Sequence, residues 1–124
     1  MQSKAIHPPG VETAAPYYSP AILTPGGQML FISGQGPKDY DADIETQIRE
    51  TFEQIQAIVE EAGGSMRNIV MIRAYFIDMA RDLPAFRKVR REFLVEPYPA
   101  ATAVGTSELA VPKLQVEIEA VAVL

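Results

Sequence analysis

The closing segment, Leu114–Leu124, reads LQVEIEAVAVL, and its alternation restricts the fold more than any other stretch of the chain. Side chains along a strand point to opposite faces in turn. Leu114, Val116, Ile118, Ala120, Ala122 and Leu124 therefore form one row, and Gln115, Glu117, Glu119, Val121 and Val123 the other. The first row is wholly apolar and must be covered. The second is polar at one end and apolar at the other, which suits neither bulk water nor the core of a lone subunit. A buried carboxylate costs several kcal/mol unless it is paired or used. Glu117 and Glu119 thus face water, or they face something built to receive a charge. A sheet face split in this way is the kind that meets another subunit, with a cleft at its polar end.

The cover for the apolar row is legible upstream. Ile44, Ile48, Phe52, Ile55, Ile58, Val59 and Ala62 recur at helical spacing, with Asp43 or Asp41 as N-cap and Gly63-Gly64 as the stop. NIVMIRAYFID is too continuously β-branched and aromatic for a surface helix and reads as a buried strand. Asp82, with Pro84 in the first turn, opens a second helix whose Phe86, Val89, Phe93 and Leu94 share a face. AILT, PGG and QMLFISG read as a hairpin, and PYPAATAVG as a loop entering a short strand. HPPGVETAAPYYSP, rich in proline and aromatics, predicts an extended, ordered arm. Two helices can cover only one face of such a sheet.

Composition removes several function classes. The 124 residues suit one domain, and neither a repeat nor a linker divides them. Cysteine is absent, which excludes disulfide and thiolate chemistry and makes an intracellular, cytoplasmic setting the expectation. His7 is the sole histidine and cannot build a multi-histidine metal site. The net charge of −5, with RKVRRE the one basic block, argues against nucleic acid as the main partner. No apolar run is long enough to cross a bilayer, so no membrane partner is expected. SGQGP lacks the lysine and the strand-to-helix continuation of a phosphate loop; its glycines let the backbone turn.

HPPG and PYYSPA in the arm, LFISGQGP, AGGSMRNIV, YFIDM, PYPAATAV and VEIEAVAV follow one another in an order and spacing that resembles the RidA/YjgF family, also called L-PSP. Each motif is weak alone; together they span nearly the whole chain. The resemblance implies an α+β, chorismate-mutase-like fold, a mixed sheet with two helices on one face. It implies a homotrimer whose sheets meet as a central β-barrel, with clefts between subunits. In such clefts family members hydrolyse reactive enamines and imines to a keto acid and ammonia, without metal or organic cofactor.

By the same resemblance Glu117 positions the attacking water, and Tyr18 (or Tyr17, since the tyrosine is doubled) and Ser33 line the cleft. Two positions depart. Deaminating members carry arginine in P-A-R-[ST], where its guanidinium grips the substrate carboxylate bidentately; here the motif is Pro99-Ala100-Ala101-Thr102. That contact is worth roughly 1.5–3 kcal/mol, so its loss at Ala101 points away from substrates of the 2-aminoacrylate type. An asparagine early in the second helix is replaced by Arg87.

Arg87 has two readings: a cation relocated to another wall of the cleft, or one member of a solvated basic face with Lys88, Arg90 and Arg91, near Glu50, Glu53, Glu60 or Glu61. Arg73, mid-strand among apolar residues, requires a carboxylate, and Glu117 or Glu119 is the expected partner. The leading expectation is a metal-free hydrolase of a small imine, enamine or related C–N compound. Its water is activated at Glu117, with Ser33, Tyr18 and the backbone around Ala101 and Ala103 shaping the pocket and a small-molecule substrate as partner. A non-catalytic small-molecule-binding trimer and an L-PSP-type endoribonuclease inhibiting translation are the alternatives.

Overall fold

A computed structural model describes residues 3–11 and 16–124. In chain order the elements are β1 (Lys4–Ile6), β2 (Ala21–Leu23), β3 (Met29–Gln35), α1 (Ile44–Glu61), β4 (Ile69–Phe76), α2 (Met79–Phe93), β5 (Ala100–Gly105) and β6 (Val116–Val123). The main sheet runs β3-β6-β4-β5; β4 and β5 are parallel and the other pairs antiparallel. It is a mixed sheet carrying two helices on one face, the α+β arrangement expected. The apolar row of β6 lies under them, with Val116, Ile118, Ala120 and Ala122 all buried.

The expected hairpin does not form. β2 pairs with β1 in a separate two-stranded sheet, and β3 pairs with β6 from Met29↔Val123 to Gln35↔Ile118. Pro20 and Pro25 flank β2 and limit it to three residues, whereas β6 offers β3 a long alternating partner. The chain end completes this pairing: Leu124 N–H donates to the Gln28 carbonyl at 2.8 Å. Residues 12–15 of the expected arm lie outside the described residues.

α1 is capped at both ends as its sequence dictates. Asp43 Oδ1 accepts from the Thr46 N–H at 2.8 Å. At the other end Gly63 takes φ +97°, Gly63 N–H donates to Glu60 and Gly64 N–H to Val59, the two bonds that satisfy orphaned carbonyls at a left-handed stop. α2 begins earlier than expected. Asp78, rather than Asp82, is its N-cap, so Pro84 is the sixth helical residue and removes one internal hydrogen bond. Asp82 is instead fully buried, gripped by Arg81 Nε and Nη2 at 2.7 and 2.9 Å; Arg81 also donates to Gln115 Oε1, tying α2 to the approach of β6.

The helices meet through Phe52, Phe86 and Phe93, and their rims are joined by Arg49 to Glu92 (2.7 Å) and Lys88 to Glu45 (2.7 Å). These partners differ from the four glutamates expected because Glu45 and Glu92 occupy the edges that face across the helix pair. Lys88 and Arg49 hold Glu45 below its ordinary 4.5, Arg49 does the same for Glu92, and the Thr46 N–H lowers Asp43 from 3.8. Depressed carboxylates stabilise above their unfolded values and lose that contribution as pH falls through the folded ones. The urea midpoint is therefore expected to stay level from about pH 7 to 5 and decline below about pH 4, modestly because the pairs are exposed. A midpoint unchanged at pH 3 would show that these pairs contribute nothing.

Candidate functional site

The uncovered face of the sheet carries the second row of β6 together with Met29, Phe31 and Ser33 of β3, and Met71, Arg73 and Tyr75 of β4. β4, predicted as a buried strand, is thus buried fully on the helix side only. The open face of the sheet is mixed in character: Phe31 is 72% exposed and Met29 58%, while Arg73, Tyr75, Glu117 and Glu119 cluster at the other end.

Cross-strand pairing assembles that acidic end. Tyr75 stands opposite Glu117 and Arg73 opposite Glu119. The Tyr75 hydroxyl donates to Glu119 Oε1 at 2.9 Å and Arg73 Nη1 donates to the same oxygen at 3.4 Å. Arg73 therefore has the partner its sequence required, but in a half-exposed pair on the open face. Acceptance by Glu119, reinforced by its charge, raises the Tyr75 phenol above its usual value. Glu119 is the tethered member of the acidic pair; Glu117 carries none of these bonds.

A bulge brings β3 to Glu117. Ile32 pairs with Ala120 and Gln35 with Ile118, so Ser33 and Gly34 together stand opposite Glu119. Gly34 is the side chain's resting place: a Cβ there would lie 2.7 Å from Glu117 Cδ and 2.8 Å from Cγ. Space, not a turn, explains this glycine, a role the sequence reading of SGQGP missed. Glu117 lines a recess with Tyr75, Glu119 and the Glu108–Ala110 segment; Ser33 lines an adjoining one with Phe31, Arg73 and Glu119.

The remaining expected residues lie elsewhere on the same chain. Ala101 and Ala103 pair with Ile72 and Ala74, whose side chains are buried under the helices, so both belong to the opposite face from Glu117. Ser19, next to Tyr18, fastens the arm at the start of β5: its N–H donates to the Pro99 carbonyl (3.3 Å) and its hydroxyl to the Tyr98 carbonyl (2.6 Å). Arg87 is exposed, 5.6 Å above the Tyr17 ring, in a groove with Pro84, Lys88, Arg91 and Glu92. One chain thus holds two separate clusters, an acidic one on the open face and a basic, aromatic one where the arm crosses from β5 to α2.

The solvated basic face is corrected at one position. Arg90 is only 5% exposed, its guanidinium 4.6 Å from the Phe86 ring. Burial, then the neighbouring Arg87 charge, lower it to about 10. The signal was present: Phe86, Val89, Arg90 and Phe93 follow the i, i+3, i+4, i+7 spacing of one helix face. Among the described residues no cluster suits a metal ion, and no helix is long and apolar enough to cross a membrane.

A mixed sheet with helices on one face and an acidic cluster on the other defines the architecture, and comparison places it in a family. The family model described as Endoribonuclease L-PSP matches residues 10–124. A RutC family protein of Pyrococcus horikoshii is 39% identical over 112 residues, covering 85% of each chain. A 2-iminobutanoate/2-iminopropanoate deaminase of Dermatophagoides farinae is 32% identical over 114 residues, 86% of this chain and 85% of that one. Among solved structures, a Rid family protein of Yersinia pestis agrees over the whole of both chains (TM-score 0.89, 24% identity), which bears on the fold alone. RidA from an Antarctic Psychrobacter covers 98% of this chain and 99% of its own (TM-score 0.73, 30% identity). The chain belongs to the L-PSP, or RidA/YjgF, family.

Proposed function

We propose that this protein hydrolyses a small imine, enamine or related C–N metabolite in clefts formed between copies of the chain in a homotrimer. The observation that carries the reading is Glu117, seated over Gly34 in a recess on the open face and free of the bonds that tether Glu119. A carboxylate so placed orients water and takes its proton as the oxygen adds to the C=N carbon. Glu117 hands this first proton to nitrogen to give a carbinolamine, then takes the hydroxyl proton as the C=O bond forms and passes it to the departing nitrogen as the C–N bond breaks, so a carbonyl compound and ammonia leave. The deaminase relative in Dermatophagoides farinae supports this class of reaction.

The trimer enters because the acidic and the basic, aromatic clusters lie apart within one chain, and because Met29, Phe31 and Val104 leave apolar surface open on the sheet. A neighbouring copy docked on that face would bring its β5 edge and arm, with Tyr17, Tyr18, Arg87 and the Ala101–Ala103 backbone, to Glu117 and Ser33. Phe31→Asp is expected to shift the protein to monomer in light scattering and to abolish turnover together; a monomeric wild type would sink the cleft. The activity test couples the protein to a PLP lyase that generates an imine and follows keto-acid and ammonia release, with Glu117→Ala as control. Release no faster than in buffer favours the second reading, a non-catalytic small-molecule binder, which the substitution at Ala101 supports.

A further inference from the structure

A second recess lies at the other end of β6 from Glu117 and takes no part in the hydrolysis proposed above. Its volume of about 360 Å³ is at the small end of the range for small-molecule sites. Val123 is six positions along the strand from Glu117, which at about 3.3 Å per residue separates the two recesses by roughly 20 Å. The chain end beneath it is tied down. Asn68 Nδ2 donates to the Val123 carbonyl at 3.0 Å, and Leu124 and Gln28 exchange backbone hydrogen bonds at 2.8 and 3.3 Å. Val123, Leu124, Pro25 and Pro97 give the recess apolar walls.

Two opposite charges line this recess without meeting. Arg67 and Glu96 both border it, and among the described residues neither side chain makes an ion pair or a hydrogen bond. Elsewhere the chain closes such charges on one another: Arg49 on Glu92 at 2.7 Å, Lys88 on Glu45 at 2.7 Å and Arg73 on Glu119 at 3.4 Å. The backbone under each unpaired charge is anchored. Arg67 sits in the turn Met66–Asn68, where Ser65 Oγ accepts the Arg67 N–H at 3.3 Å and Asn68 Oδ1 accepts the Ser65 N–H at 2.8 Å. Two residues beyond Glu96, the Tyr98 carbonyl accepts the Ser19 hydroxyl at 2.6 Å.

The hydroxyls are sorted in the same sense. Beside Arg67, Ser65 Oγ already accepts a hydrogen bond, so its own proton is free to donate. Ser3 and Glu96 share a wall, since both also border the neighbouring recess at His7. There Ser3 Oγ spends its proton on Thr24 Oγ1 at 2.9 Å and keeps its lone pairs to accept. Donors thus gather on one wall and acceptors on another, with apolar residues between them. A plain anion would meet Glu96 and a plain cation Arg67; a molecule carrying a carboxylate and an ammonium a few atoms apart satisfies both. We infer that this recess binds a small zwitterion of the α-amino acid class. Arg67 and Ser65 take the carboxylate, Glu96 and Ser3 take the ammonium, and an aliphatic side chain lies against the apolar walls. The site is independent of the hydrolase reading.

The test is calorimetric titration of the intact protein with L-valine, with L-valinamide, which lacks the carboxylate, and with N-acetyl-L-valine, which lacks the ammonium. Wild type is expected to bind L-valine at least about tenfold more tightly than either analogue. Arg67→Gln should lose about tenfold toward L-valine and nothing toward L-valinamide, and Glu96→Gln about tenfold toward L-valine and nothing toward N-acetyl-L-valine. Both side chains are exposed, so the variants alone should melt with wild type, and L-valine should raise the melting temperature of wild type far more than theirs. An absence of saturable L-valine binding, equal affinity for L-valine and either analogue, or binding that survives both substitutions overturns the assignment. L-valine binding lost in Glu117→Gln and kept in Arg67→Gln places the amino acid in the acidic recess and overturns it too.

Discussion

Glu117→Gln is expected to slow imine hydrolysis by about 10²–10⁴-fold, the contribution of a positioned general base, with no change in fold or association. Glutamine keeps the size and the rest over Gly34 but cannot take the proton from water. A second substitution reaches the same carboxylate without altering it. In Gly34→Ala the new methyl would lie 2.7 Å from Glu117 Cδ, well inside contact distance, so the side chain must swing away from the recess. A displacement of about 1 Å at a reacting group can cost 10²-fold. Both variants should lower kcat far more than they raise KM, and steady-state kinetics with circular dichroism as a folding control reads this directly. If Gly34→Ala lost activity while Glu117→Gln kept it, the bulge itself would be the functional element and the carboxylate a bystander.

Phe52→Ala is expected to destabilise the fold by about 3–5 kcal/mol, the largest single loss available to a buried aromatic. Phe52 is fully buried and stacked between Phe86 (6.2 Å between centroids) and Phe93 (5.3 Å), so it carries the contact between α1 and α2. Phe86 meets Phe76 edge-on at 5.1 Å, which links the same cluster to the sheet. Truncation removes the transfer energy and leaves a cavity that three rigid rings cannot fill. Urea unfolding should show a lower midpoint at an unchanged slope. A loss below about 1 kcal/mol would mean the helices do not depend on this stack.

Of the basic residues on α2, Lys88 is engaged with Glu45, Arg81 with Asp82, and Arg87 with the Tyr17 ring, each at the surface or rim. Only Arg90 combines burial with an unused bidentate edge.

Much of the molecule was legible in one dimension. Local chemistry fixes the ends of α1 through Asp43 and Gly63, and strict alternation fixes which side of β6 goes under the helices, because both depend on residues a few positions apart. The resemblance singled out Glu117, whose side chain lies against Gly34 on the open face. Three features were decided only in space. β3 gave up the hairpin for β6 because a long alternating partner supplies more backbone bonds than a proline-bounded segment of three residues. Gly34 matters because a strand bulge lays it beneath Glu117, 83 positions later in the chain. Arg90 looked like one more surface charge in a basic run, and its burial follows from a helix face that Phe86, Val89 and Phe93 turn inward against the sheet. Spacing along a chain reports which side chains share a face; whether that face meets solvent, a strand or an arm is set by long-range packing, which local sequence does not encode.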